Sequence, residues 1–203
     1  MSFIKLFVNF ILAGFLIKQM SEIIIRCVFL SSVDAAEEKT HFLYALSGEP
    51  LPEDYEPTIF ESKKLNFKYN GQNIGMHLWD TRGQEENSKI RPMSYAKCGI
   101  AVLVFSMNNK KTLNDLDIYV KEIKEYADDS CRILVGVTLE QKGDQEVNDP
   151  VSDREMEDWA QKNGMNATLK QTIKSGESLE KVCEFFAEKY LAIKNKDKQC
   201  NIA

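Results

Sequence analysis

Asp80 and Gly83 stand in the stretch Leu78-Trp79-Asp80-Thr81-Arg82-Gly83-Gln84-Glu85, directly after an apolar strand over Asn73 to Leu78. A carboxylate leaving a strand can meet Mg²⁺, and a glycine N–H just beyond it can meet a terminal phosphate oxygen. Asp-x-x-Gly ends many strands, and Trp79 before it with Gln84-Glu85 after it narrows the reading. Lys39-Thr40 opens a helical pattern through Phe42, Leu43 and Leu46. There a lysine could reach phosphates and a hydroxyl could reach Mg²⁺. That chemistry normally needs Gly-x-x-x-x-Gly-Lys-Ser/Thr, whose glycines let backbone N–H groups wrap the phosphates. The chain instead reads Ser31-Ser32-Val33-Asp34-Ala35-Ala36-Glu37-Glu38 before Lys39, without a glycine, and Glu38 takes the place of the last one. Taken bare, Lys39-Thr40 is an ordinary helix start.

The segment from Trp79 resembles switch II of a small GTPase, which reads Trp-Asp-Thr-Ala-Gly-Gln-Glu in the Ras superfamily, with Arg82 here in place of Ala. Asp54-Tyr55-Glu56-Pro57-Thr58-Ile59-Phe60-Glu61 resembles switch I of the Rho family, and Thr58 lies 18 residues beyond Thr40. Ile90-Arg91-Pro92-Met93-Ser94-Tyr95 resembles the Rho signature Leu-Arg-Pro-Leu-Ser-Tyr. The resemblance covers residues 22–203. It implies GTP/GDP and Mg²⁺ as cofactors, with the metal at Thr40, Thr58 and Asp80, nucleotide contacts at Lys39, Thr40, Tyr55, Thr58 and Gly83, and Gln84 orienting the attacking water. It also implies an effector surface at Thr58, Ile59, Phe60 and Trp79, through which effector or regulator proteins dock.

The elements that must position these residues follow the same order. Ile23 to Leu30 is apolar and β-branched, as a strand buried on both faces should be. Alternation over Lys64 to Tyr69 and Gln72 to Leu78 around Asn70-Gly71 argues a β-hairpin. Gly99 to Ser106 and Cys131 to Gly136 read as further strands. Leu113, Leu116, Val120, Ile123 and Ala127 recur at helical spacing. Ser152-Asp153-Arg154-Glu155 reads as a capping box, with Trp159 partly in the core behind it. A last helix over about Ser178 to Lys194 should bury Leu179, Val182, Phe185, Phe186 and Tyr190. Strands alternating with helices predict an α/β, three-layer small-GTPase fold: a six-stranded, mostly parallel sheet with one antiparallel edge strand, and five helices.

At 203 residues and 43% hydrophobic content, one domain over 22–193 is expected. A net charge of −5 provides no basic field for nucleic acid. Five scattered cysteines without Cys-x-x-Cys point to a reduced chain lacking a disulfide framework or zinc site. His41 and His77 lack metal-ligand spacing and read as structural or exposed. A monomer is expected. Residues 1–21 form an apolar extension whose run 3–17 is short of the ~20 residues that span a bilayer. It reads three ways: a dispensable extension before a start at Met20, a membrane-associating helix, or a signal peptide. At the other end, 194–203 is a lysine-containing tail closing in Cys200-Asn201-Ile202-Ala203. That fits Cys-a-a-X with farnesyl transfer to Cys200, and would tether the chain to the cytoplasmic face of a membrane.

Three boxes depart from the family. Besides the phosphate loop, the guanine box Asn/Thr-Lys-x-Asp becomes Val137-Thr138-Leu139-Glu140, which keeps a carboxylate one methylene too long at Glu140 and puts Thr138 where the lysine belongs. The Ser-Ala-Lys box, aligned on Gly176, becomes Lys170-Gln171-Thr172. Only eleven residues separate Glu140 from Ser152, too few for the Rho helical insert. Glu37, Glu38, Arg82 and Thr138 are therefore pocket departures. A partner-binding pseudoGTPase is expected, with Glu37 or Glu38 filling the vacated phosphate site opposite Arg82 or Lys39. The alternative is a divergent GTPase, still binding and hydrolysing GTP, whose altered loop folds outward.

Overall fold

The computed structural model describes residues 22–50, 60–81, 91–140, 149–174 and 179–200. Among these residues six strands run β1 Ile23–Leu30, β2 Phe60–Tyr69, β3 Gln72–Thr81, β4 Ile100–Ser106, β5 Cys131–Leu139 and β6 Ala167–Ile173. They form one sheet in the order β2-β3-β1-β4-β5-β6. Only β2 and β3 pair antiparallel; every other neighbour is parallel. The hairpin turns on Asn70 and Gly71 with φ of 48° and 76°. Positive φ at both turn residues matches the twist of the flanking strands, which is why Asn-Gly marks this turn.

A 3₁₀ turn, Val33–Ala35, leads into α1 Ala36–Ser47; then come α2 Arg91–Ser94, α3 Lys110–Asn114, α4 Asp117–Tyr126, α5 Asp153–Asn163 and α6 Glu180–Cys200. Helices on both faces of the sheet make β4 buried at every position. Alternate residues of β1 serve two cores. Ile25, Cys27 and Phe29 meet α1 and α6 on one face, where Phe42 of α1 and Phe186 of α6 pack edgewise. Val28 and Leu30 meet Leu116, Val120 and Ile123 on the other. Leu113, Leu116, Val120, Ile123 and Ala127 are all buried, as their spacing predicts, although Asp115 and Leu116 divide the segment into two helices. The capping box is present, Ser152 Oγ accepting from Glu155 N–H while the Glu155 carboxylate accepts from Ser152 N–H.

Several element boundaries differ from expectation, among them β2, which begins at Phe60 rather than Lys64. The last helix continues to Cys200. β3 does not stop at Leu78 but runs on through Trp79, Asp80 and Thr81, because Ser62, Glu61 and Phe60 of β2 pair with them. β5 reaches Leu139 because Leu139 still pairs with Ile173 of β6.

Candidate functional site

β1 has β3 on one side and β4 on the other, and in parallel α/β sheets ligands gather at the carboxyl ends of strands where connections part in this way. Ser31 and Ser32 follow β1 at that end. Both are buried, and neither hydroxyl has a partner among the described residues. The chain then coils at once: Ala35 N–H donates to Ser32 O and Ala36 N–H to Val33 O. An anion-binding nest needs successive N–H groups splayed by alternating right- and left-handed residues. Among the described residues positive φ occurs only at Gly48, Asn70, Gly71, Lys97, Asp149 and Gly164, all outside 31–40. Without a glycine the left-handed region is disfavoured, and the loop winds into the helix instead. α1 therefore begins at Ala36, which leaves Lys39 and Thr40 within it rather than at its mouth. Residues 31–40 thus form no nest of that kind.

Lys39 is buried, with its side chain 3% exposed, and its Nζ lies 2.6 Å from Asp80 Oδ1. The same Nζ donates to Thr81 O, and Thr81 Oγ1 donates to Phe29 O at 2.7 Å. One amine thus joins α1, the end of β3 and, through Thr81, β1. Thr40 and Asp80 line one cavity of about 10 Å³ together with Leu43, Tyr44, Lys63 and Leu78. That is space on the order of one water. The two described members of the expected metal set are thus brought together, but Asp80 is already engaged by Lys39.

Of the two cations expected opposite Glu37 or Glu38, Lys39 pairs with Asp80 instead, and Arg82 lies outside the described residues. Glu37 is 63% exposed and lies 3.7 Å from His41. The carboxylate facing Lys39 comes from Asp80. As first-turn acids, Glu37 and Glu38 instead complement the amino end of α1. Lys170, Gln171 and Thr172 lie inside β6, paired with Gly136, Val137 and Thr138. Lys174 follows the strand and approaches Glu140 at 3.4 Å. Glu140 is 55% exposed and Thr138 half-buried. Glu140, expected at the base end of the site, thus forms an exposed surface pair with Lys174. Tyr55, Thr58, Ile59, Arg82, Gly83 and Gln84 lie outside the described residues, and Phe60 opens β2 opposite Thr81. Trp79 is half-buried, its ring covered by the Arg26 guanidinium at 3.6 Å.

Two contacts were not anticipated. The Lys39–Asp80 pair escapes a motif reading, because motifs assign both residues to the ligand rather than to each other. Arg91, in the Rho-like signature, donates through Nε to Glu122 of α4 at 2.7 Å and through Nη2 to its other oxygen, while Tyr95 O–H donates to Glu122 at 2.7 Å. An acid within an amphipathic helix and a basic residue in the Rho-like signature were the available signals, but only the fold pairs them.

A mostly parallel sheet, a Lys-Thr pair in the helix after its first strand, and an Asp at the end of the hairpin strand define a protein of the small-GTPase class. Residues 33–193 match the Ras family. Similar proteins include the Ras-like GTP-binding protein RHO1 of Entamoeba histolytica, 35% identical over 74% of this chain and 70% of that protein. GTP-binding protein RHO1 of Candida albicans is 30% identical over 80% of this chain and 87% of its own length. GTP-binding protein RHO4 of Saccharomyces cerevisiae is 32% identical over 74% of this chain and 53% of its own length. The chain belongs to the Ras family and is a Rho-type small GTPase of that superfamily, a group that binds GTP or GDP with Mg²⁺.

Proposed function

We propose that this Rho-type protein acts as a membrane-tethered binding module, presenting its switch surface to effector or regulator proteins with impaired or absent GTP binding. The observation that carries the reading is the stretch 31–40, which has no left-handed residue and leads to a lysine already paired with Asp80. The electrostatics agree. A carboxylate about 6 Å from a phosphate charge costs roughly 3 kcal/mol at an effective dielectric of ~20. Each ~1.4 kcal/mol is tenfold in affinity. Glu37, Glu38 and Asp34 all lie on this loop or on the first turn after it. Tethering rests on the Cys200 tail with a farnesyl group, and partner binding on Thr58, Ile59, Phe60 and the half-exposed Trp79.

Nucleotide content is the test. Protein purified without added nucleotide and denatured should release less than about 0.1 equivalent of GDP or GTP, the occupancy left once Kd exceeds about ten times the free nucleotide. Release of a full equivalent would sink the reading. One observation favours a second reading, a divergent but working GTPase: Thr40 and Asp80 line the same cavity. There Thr40, Thr58 and Asp80 would hold the metal and Gln84 would orient water. A second test addresses the surface. Phe60→Ala should weaken binding to a partner at least tenfold while leaving the unfolding midpoint within a few degrees; an unfolded variant would remove Phe60 from the docking surface.

A further inference from the structure

Resting on the membrane tether just proposed, we infer that the uncovered face of β2, β3 and β1 docks on an anionic lipid bilayer, as a second contact beside the Cys200 tail. Register builds the surface. Lys64 of β2 stands opposite His77 of β3, and His77 stands beside Arg26 of β1, so three side chains form one row across three strands. Neighbouring strands lie about 4.8 Å apart, so the row spans roughly 10 Å. The row on one side is Ser62, Trp79 and Val28; on the other it is Asn66, Gly75 and Ile24, with Lys68 and Asn73 beyond. Ser62, Lys64, Asn66 and Lys68 are all exposed, and Ile24 is 57% exposed. The helices on this side bury Val28 and Leu30 and leave those positions to solvent. Like charges on adjacent strands are destabilising unless something offsets them. Among the described residues, Arg26, Lys64, Lys68 and His77 make no ion pair, whereas Lys63 on the opposite face of β2 pairs with Glu49. One acid, Glu22, lies among them, over Gly75. In a chain of net charge −5, this face is locally cationic, and an anionic surface supplies the missing counter-charge.

Three features select a bilayer over an acidic peptide. Peptides dock on sheets through strand edges and side-chain pockets, whereas this surface is the flat of the sheet, and the cavities at Thr40 and Asp80 and between α5 and β6 are lined by other residues. Apolar and indole side chains bracket the cations. Ile24 lies on one side of the row and the half-exposed Trp79 on the other, under the Arg26 guanidinium. Met93 is 73% exposed on α2, where Ser94 O accepts from Arg26 Nη2 at 3.3 Å. Cations interleaved with such side chains suit the headgroup boundary. The tail also leaves from this end of the sheet. Gly99 N–H donates to Arg26 O, and the Tyr190 ring of α6 packs against Gly99, so α6 passes the amino half of β1 on its way to Cys200. One lipid chain alone gives marginal attachment, and a cationic patch is the second signal that makes it stable. This face supplies that signal and sets which way the domain lies.

Flotation of the full, farnesylated chain tests this on vesicles of phosphatidylcholine alone and of phosphatidylcholine with about 20% phosphatidylserine, at about 0.1 M salt. Lys64→Gln with Lys68→Gln should bind the phosphatidylserine vesicles about twentyfold more weakly than the wild type, roughly fivefold per lysine. Binding to phosphatidylcholine alone and the unfolding midpoint should not change. A polarity-sensitive fluorophore gives a second reading with the lysines intact, so it decides even where the double variant fails to fold. Cys27, Cys98, Cys131 and Cys183 are buried and Cys200 carries the lipid, which leaves an introduced thiol to the label. On the phosphatidylserine vesicles the label should shift at Ser62→Cys and not at Thr172→Cys, on the far edge strand β6. A double variant that binds both vesicles as the wild type does, or equal label shifts at the two positions, would overturn the lipid face and leave the cation row to an acidic protein partner. Wild-type chain that binds the two compositions equally would overturn it as well, with the tail tether standing. Farnesylated wild type that binds neither would overturn the tether itself.

Discussion

Glu122 is an acid whose environment pulls in two directions. Burial alone would raise its pKa, but hydrogen bonds from Arg91 and Tyr95 overcome that and leave it below the usual carboxylate range. A group depressed in the folded state contributes stability above its unfolded pKa of ~4.3 and loses it as pH falls through the lower folded value. Glu122→Gln should therefore flatten part of the acid limb of the stability curve below about pH 5. At pH 7 it should cost about 2–4 kcal/mol, because the Arg91 side chain, 3% exposed, is left without its carboxylate. Urea unfolding of both proteins at pH 7 and pH 4 checks this: equal stability at pH 7 would mean the pair contributes nothing net. Neither this pairing nor Lys39–Asp80 was legible in the sequence. Periodicity places Val120 and Ile123 inward but says nothing of what an acid on the helix flank will meet, and a nucleotide motif describes a lysine and an aspartate by the ligand between them.

The elements were far more legible than the contacts, because each carried its own local signal. The Asn70-Gly71 turn, the continuous apolar run of β4 and the Ser152-Glu155 box each specify structure without help from distant residues. Boundaries were less legible where a neighbour decides them. β3 outlasts its apolar run because β2 offers Phe60 and Glu61 as partners to Thr81 and Asp80. β5 absorbs the guanine-box position because β6 pairs up to Leu139. The box at α5 gives a clean local test. Ser152→Ala removes the acceptor of Glu155 N–H, and should lower stability by about 1 kcal/mol without altering nucleotide content or partner binding. Thermal unfolding measures it, and a loss above about 2 kcal/mol would mean that Ser152 does more than cap.

At the scale of the whole molecule, the proposed tether to a membrane rests on the tail. No helix of the described residues is long and apolar enough to cross a bilayer. α6 carries Lys194 and Lys196 towards Cys200, yet Lys194 Nζ lies 3.7 Å from Asp129 of the domain. One cation of the tail is thus shared with the body, and the chain's net charge of −5 opposes an anionic leaflet. Each lysine near such a surface contributes ~1 kcal/mol, and a single lipid chain gives only marginal, reversible binding. The farnesyl group should therefore dominate while needing the remaining lysines. Cys200→Ser should shift the protein from the membrane to the soluble fraction almost completely. Lys196→Glu should weaken vesicle binding roughly tenfold, and the effect should fade as salt is raised. Fractionation of cells expressing each variant, with flotation on vesicles containing anionic lipid, separates the contributions. Cys200→Ser protein that stays on the membrane would move the anchor to the apolar run 3–17, and removal of residues 1–19 should then release it. Release by Cys200→Ser alone would leave that run without a role in anchoring and bring its dispensable reading forward.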